Sequence, residues 1–305
     1  MYNGVINVYK EKAFTSHDVV AKLRGILHQK KIGHTGTLDP DATGVLPVCL
    51  GNATKLCDIL ADKSKTYSVV MKLGLVTDTQ DITGKILEDN TDKTMPSKTE
   101  IETAIMSFLG DYAQIPPMYS ALKVNGKKLC DLAREGIEVE RKPRNITINS
   151  IYIKEIADDC KMVSMVVDCS KGTYIRTLCH DIGGKLGVGA CMKELERIRV
   201  SDFIIENAFT LSQIEDLCKQ GKLEEYITSV EDVFSHLDTF YTLSDDDRLL
   251  NNGNKLLSQN FSKESYRDVE NEEWVKVCDS NKKFKAIYKY LAGEDEFVPV
   301  KMFLE

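Results

Sequence analysis

The chain has 305 residues, room for one large domain or two, and its 42% hydrophobic and 29% charged residues exclude a disordered or low-complexity protein. Net charge is −7, but unevenly spread: residues 206–305 carry 12 Lys+Arg against 21 Asp+Glu, and residues 1–205 carry 28 against 26, so a polyanion surface is expected in the first two-thirds. No apolar run approaches the ~20 residues of a membrane helix, MYNGVINVYK lacks the apolar core of a signal peptide, and the nine scattered cysteines, none spaced as CxxC, read as free thiols of a cytoplasmic protein.

Along the chain, GVINVY (4–9) alternates and is β-branched, which predicts a strand. Val20, Leu23, Ile26 and Leu27 predict a helix over 17–29, with Ser16 as its cap. Residues 30–51 read as a Gly/Pro/Thr-rich loop, apolar at its far end, after which Asn52 caps a short helix. KTYSVVMKLG (65–74) is a second strand. Ser97 and Glu100 form a capping box for a helix over 98–109, with Gly110 as its stop. Residues 113–145 are a basic, turn-rich insertion containing Pro116-Pro117 and Asn125-Gly126. Strands follow at 146–156 and 161–169, then a helix at 174–186 and a return to the sheet at 193–205. Thr210 and Gln213 box a helix at 211–220. From about 240, short strand-like pieces (WVKVCD, FKAIYKYLA, FVPVKMF) alternate with polar links. Strands and helices without a regular βαβ beat indicate an α+β fold with a mixed, largely antiparallel sheet and flanking helices, followed by a small β-rich C-terminal domain. The division expected is 1–238 and 239–305.

No phosphate loop, HExxH or GxSxG is present. What remains is Gly33-His34-Thr35-Gly36-Thr37-Leu38-Asp39-Pro40-Asp41-Ala42-Thr43-Gly44. Its glycines permit close backbone approach, and Pro40 biases Asp39 toward an extended conformation. By spacing alone, an Asp-Pro in such a loop is an ordinary turn.

GHTGTLDPDATGVLPVCLGNATK resembles the signature loop of the TruB family of tRNA pseudouridine synthases. KTYSVVMKLG, LGLVTDTQDITGKI, IPPMYSALKVNGKKLCDLAREGIEVER and CSKGTYIRTLCHDIGGKLGVGA resemble further motifs in the family's order, over about residues 4–211. The resemblance implies a pseudouridine synthase fold with a PUA-like C-terminal domain. It implies isomerisation of uridine to pseudouridine in the T loop of tRNA, at position 55, with Asp39 catalytic and Tyr67 and Arg176 beside it. His34 would fill the stack that the flipped base vacates, and Tyr174 and Leu195 would shape the pocket. Within 113–145, Lys127, Lys128 and Arg134 would grip the T arm of tRNA. Near the N-terminus the family pattern Lys-Pro-x-Gly-x-Thr-Ser reads here Lys10-Glu11-Lys12-Ala13-Phe14-Thr15-Ser16, without the Pro and the Gly.

The reaction exchanges an N–C for a C–C bond with no redox change, so a carboxylate is a sufficient centre and neither metal nor organic cofactor is expected. Asp39 either adds to uracil C6 or takes a ribose proton, and Arg176 would hold it ionised and oriented. Tyr67 would stack on the uracil and could move a proton at C5. No obligate protein partner is expected. The competing readings are an RNA-binding or RNA-folding protein of the same fold, and an RNA-guided pseudouridine synthase, which lacks the 113–145 insertion; a sugar-active enzyme pairing Asp39 with Asp41 is a third.

Overall fold

The computed structural model describes residues 1–304. The fold is α+β. Its main sheet has nine strands, of which seven run in the order Gly4–Lys10, Thr43–Leu50, Ala190–Val200, Lys65–Leu73, Met162–Cys169, Arg144–Ile156, Gly110–Gln114. Two short strands sit beside this path: Ile32–His34 on Thr43–Leu50, and Phe203–Ile204 on Ala190–Val200. Neighbours are antiparallel except at one junction, where Thr43–Leu50 meets Ala190–Val200 in parallel through Glu196 opposite Thr43 and Arg197 opposite Gly44.

Apolar patterning explains the layers. Helices Lys98–Met106 and Ile175–Lys185 cover one face of the larger half, burying Ile101, Ile105, Leu178 and Ile182 against Val69, Met71, Met165 and Val167. Helices Ser16–Ile26 and Leu211–Lys219 cover the N-terminal half through Val19, Leu23 and Ile214 against Ile6, Val8, Leu46 and Val48.

Several sequence expectations are corrected. Residues 30–51 are not one loop, because Ile32–His34 and Thr43–Leu50 are strands. Leu46, Val48 and Leu50 face one apolar cluster while Cys49 faces another, so the strand is covered on both sides and shows no period-two alternation. Thr15, not Ser16, caps the first helix in a capping box with Asp18, and Leu27 is already its C-cap. The Ser97/Glu100 box forms as expected, but that helix ends at Met106 with Ser107 as cap, and Gly110 opens a strand. Asn52 lies inside a 3-10 turn, Gly51–Leu56, and caps nothing.

The C-terminal sheet orders Thr239–Tyr241, Trp274–Cys278, Phe284–Leu291 and Glu296–Met302 around Phe240, Phe261, Val275, Tyr288 and Phe297. Ile287 and Phe303 join a second cluster with Val5, Cys49, Leu56, Leu60 and Phe234, so this sheet is also seated against the back of the first.

Two backbone positions decide the approach to the site. Gly44 has φ +104°, and a Cβ there would lie 2.2 Å from the Arg197 carbonyl oxygen. Ala13 has φ +70° where the family pattern has glycine, and its N–H still donates to the Pro40 carbonyl at 3.0 Å. Gly44→Ala should therefore cost about 2 kcal/mol or more, whereas Ala13→Gly should change stability by about 1 kcal/mol or less in the stabilising direction. Thermal and denaturant unfolding of the two variants checks this, and a harmless Gly44→Ala would contradict the close approach.

Candidate active site

Asp39 lies in the turn between Ile32–His34 and Thr43–Leu50, closed by the Ala42 N–H donating to the Asp39 carbonyl at 3.1 Å. Leu38 and Ala42 on either side are buried in the core, which fixes the turn from below. Ser16 accepts the Leu38 N–H at 3.0 Å. The hydroxyl expected to cap a helix instead anchors this loop. Lys10, fully buried, donates from Nζ to the carbonyls of Pro40 at 3.0 Å and Phe14 at 2.5 Å, and burial pushes its ammonium down to about 8.

Arg176 sits in the first turn of helix Ile175–Lys185, where no acidic residue offsets its charge against the helix dipole. Its partners come from elsewhere in the chain. Nη2 donates to Asp39 Oδ1 at 3.3 Å and to the Tyr119 carbonyl at 2.7 Å, and Nη1 lies 3.9 Å from Asp81 Oδ2. The Arg176 side chain is 7% exposed and that of Asp39 39% exposed. The pair thus presents one carboxylate at a surface and keeps its cation inside. Burial pushes the Asp39 carboxyl above the usual range; Arg176 opposes that shift, and Asp81 adds to it. Asp81 is itself held by Thr83, whose N–H and hydroxyl donate to Oδ1 at 2.9 and 2.6 Å.

Tyr67 is buried in the same cluster as Leu38 and Ala42. It faces Arg197 across the strand pair, in hydrogen-bonding contact, and burial pushes its phenol up to about 12. Leu195, two residues earlier on the Arg197 strand, is half-buried against the same cluster. Tyr174 is the N-cap residue of the Arg176 helix; Gln114 grips its backbone at 2.8 and 3.1 Å, and its ring centre lies 5.9 Å from the Arg176 guanidinium. His34 accepts the Gly36 N–H at 3.3 Å and stands edge-on to His17, with ring centres 5.3 Å apart; burial holds it below the ordinary histidine value.

The insertion leaves the sheet where Gln114 pairs with Arg144. Asn125 (φ +51°) and Gly126 (φ +83°) turn a hairpin of Lys123–Val124 and Lys127–Lys128, as a type I′ connection requires. Helix Leu129–Arg134 follows, pinned by Leu129 and Leu132. The side chains of Lys127 and Arg134 are 66% and 72% exposed, in loose pairs with Glu135 and Asp131 at 3.9 and 3.4 Å. Lys128 is exposed as well. Such pairs contribute little and yield readily to a phosphate. The structure therefore gathers Asp39 and Arg176, with Tyr174 alongside, and carries Lys127, Lys128 and Arg134 on a separate arm whose Tyr119 reaches back to Arg176.

Residues 24–175 match the TruB family pseudouridylate synthase N-terminal domain, and residues 176–235 the tRNA pseudouridylate synthase B C-terminal domain. A Lachnoclostridium phytofermentans protein named tRNA pseudouridine synthase B is 50% identical over 308 residues, 99% of this chain and 100% of its own. The chain belongs to the TruB family of pseudouridylate synthases. A Clostridium perfringens protein of the same name is 47% identical over 94% of this chain and 95% of its own. Among solved structures, a chain from a Cbf5-Nop10-Gar1 complex aligns with a TM-score of 0.75 at 28% identity, covering 99% of this chain and 85% of that one. A chain from an H/ACA RNP bound to a substrate RNA containing 2′-deoxyuridine gives 0.73 at 26%, with the same coverage. These TruB-family and Cbf5 likenesses accord with the α+β fold described above.

Sequence reasoning missed Lys10, Tyr119, Asp81 and Arg197 as parts of the site. Arg197 was within reach of it: period-two alternation from Leu195 already turns it inward. Asp81 is one of two acids in LVTDTQDITGK, and only the folded distance to Arg176 singles it out.

The charges around Asp39 fix the signs of two shifts. Asp81→Asn removes an anion, so Asp39 should titrate lower; Arg176→Gln removes the cation, so it should titrate higher. Carboxyl carbon NMR titration of Asp39 in both variants reads this directly, and shifts of the same sign would refute the arrangement.

Proposed function

We propose that this chain isomerises uridine to pseudouridine at position 55 in the T loop of tRNA, with Asp39 as the nucleophilic or basic carboxylate and Tyr67 and Arg176 beside it. The observation that carries this is the half-open Asp39 carboxylate held by a nearly buried Arg176. The relatives' name, tRNA pseudouridine synthase B, supports tRNA as the substrate. Breaking an N–C and making a C–C bond needs no electron acceptor, so an ionised, oriented carboxylate is a sufficient centre. Arg176 opposes the upward shift that desolvation imposes on that carboxylate, and Tyr119 and Asp81 keep Arg176 in place.

The target base is stacked inside a folded loop and must be flipped out, at a cost of a few kcal/mol. His34 fills the vacated position, Leu195 and Tyr174 line the pocket, and Tyr67 stacks on the uracil. Lys127, Lys128 and Arg134 contact T-arm phosphates without taking part in chemistry. Residues 1–238 form the catalytic unit and 239–305 an acidic accessory domain seated behind it.

One single-turnover experiment on a T-arm transcript, with affinity measured in parallel, separates these roles. Asp39→Asn should lose at least about a thousandfold in rate, on the order of 4 kcal/mol, while retaining binding. Arg176→Lys should be severely impaired, since lysine lacks the planar fork. Asp41→Asn should change little, because Asp41 is exposed and makes no contact with Arg176. The triple Ala variant at Lys127, Lys128 and Arg134 should bind more weakly with a flatter salt dependence, and react at nearly the parent rate at saturation. An active Asp39→Asn beside a dead Asp41→Asn would reverse the reading of the loop; unchanged affinity with a collapsed rate in the triple variant would reverse that of the insertion.

A further inference from the structure

Arg197 is the largest fully buried side chain, 1% exposed, and a charge in that position is costly unless something needs it there. Its acceptors are backbone carbonyls. Nε donates to Val45 O at 2.7 Å and Nη2 to Gly36 O at 3.4 Å, one on each side of the Asp39 turn. The same guanidinium meets the Tyr67 phenol, directly opposite it in the strand pair. Burial depresses the Arg197 charge only in part, and the contact with Tyr67 works to retain it. Arg197 also anchors the parallel junction through its backbone, beside a glycine whose missing Cβ makes room for it.

A guanidinium has five donors and no acceptor. A phenol oxygen that receives an N–H from it cannot direct its own proton back along that line. The Tyr67 O–H is therefore turned away from Arg197, and any negative charge that develops on the phenol oxygen is met by a fixed cation in a low-dielectric setting.

We propose that Arg197 is a positioning residue for the reaction: it ties both ends of the Asp39 turn to Tyr67 and orients the Tyr67 hydroxyl toward the substrate pocket. This rests on the proposed role of Tyr67 in the isomerisation. Arg197 touches neither base nor ribose; it acts through Tyr67 and the turn. A neutral apolar residue would fill the space with less desolvation, but would remove the Arg197 donors from the Val45 and Gly36 carbonyls and leave the phenol free to rotate.

The test uses the full chain and a T-arm transcript, with conversion by the parent protein establishing the activity itself. Arg197→Lys, Tyr67→Phe and the double variant are compared in single-turnover rate, RNA affinity and pH profile. Arg197→Lys keeps a cation but loses the fork, and should lower the rate by about a hundredfold, the range of one misdirected proton-transferring group, with affinity little changed. In the Tyr67→Phe background the same change should cost only about twofold, because the two side chains act as a unit. Tyrosine ring-carbon NMR should find Tyr67 titrating higher in Arg197→Lys and in Arg197→Gln than in the parent, as the nearby guanidinium lowers it. If Arg197→Gln does not fold, the lysine variant carries the measurement. Independent losses that multiply in the double variant, or a Tyr67 titration unmoved by either substitution, would overturn the proposal even with the parent fully active. A parent protein that forms no pseudouridine would instead refute the proposed function.

Discussion

The site depends on one close approach. Gly44 and Arg197 meet at the parallel junction of an otherwise antiparallel sheet, at a distance that admits no side chain on Gly44. That junction joins the N-terminal half, which carries the Asp39 turn, to the larger half, which carries Tyr67, Leu195 and the Arg176 helix. A wider contact would leave the turn displaced from every group that gives its carboxylate a purpose. Below the turn, Leu38 and Ala42 enter the core; above it, Lys10 and Ser16 hold its carbonyl and amide groups. The loop is therefore rigid for a segment so rich in glycine, as a preorganised electrostatic site requires.

Charge is handled unevenly around this centre. Two cations, Lys10 and Arg197, are fully enclosed and answered by carbonyl oxygens. The third, Arg176, is answered by Asp39, Asp81 and the Tyr119 carbonyl. Asp39 is the member left half-open, and the nearby cations oppose the upward shift that burial imposes on its carboxyl. Tyr119 belongs to the basic insertion, so the segment that carries Lys127, Lys128 and Arg134 also helps to orient Arg176. The acidic C-terminal third shares an apolar seam with the first sheet on the side of Leu56 and Leu60. It thereby completes the core beneath the N-terminal strand.

Much of this was legible in the sequence. Capping boxes at Ser97 and Thr210, and strands at 4–9 and 65–74, follow from local chemistry and recur in the fold. The strand Thr43–Leu50 was hidden because both its faces are covered, which erases alternation, and because Pro47 reads as a breaker. Ser16 was misread since a hydroxyl at a helix start is more often a cap than an anchor for a loop 22 residues away. Asp39 and Arg176 are 137 residues apart in sequence, and only the motif resemblance paired them before the fold did. Asp81 and Arg197 act through distances to other side chains, which no local pattern encodes. Ala13 shows the reverse case: a departure from the family's glycine that the backbone accommodates in the left-handed region, with the Ala13 N–H donating to the Pro40 carbonyl.

The central claim is that the Asp39 turn, assembled at the Gly44–Arg197 junction, converts one uridine without help from another molecule. Position-resolved pseudouridine mapping of a full-length unmodified tRNA transcript, incubated with the purified chain alone in excess EDTA, tests it most directly. The account predicts conversion at the single T-loop position 55. Conversion only with an added guide RNA, only after restoring a metal, or at a different uridine would contradict it.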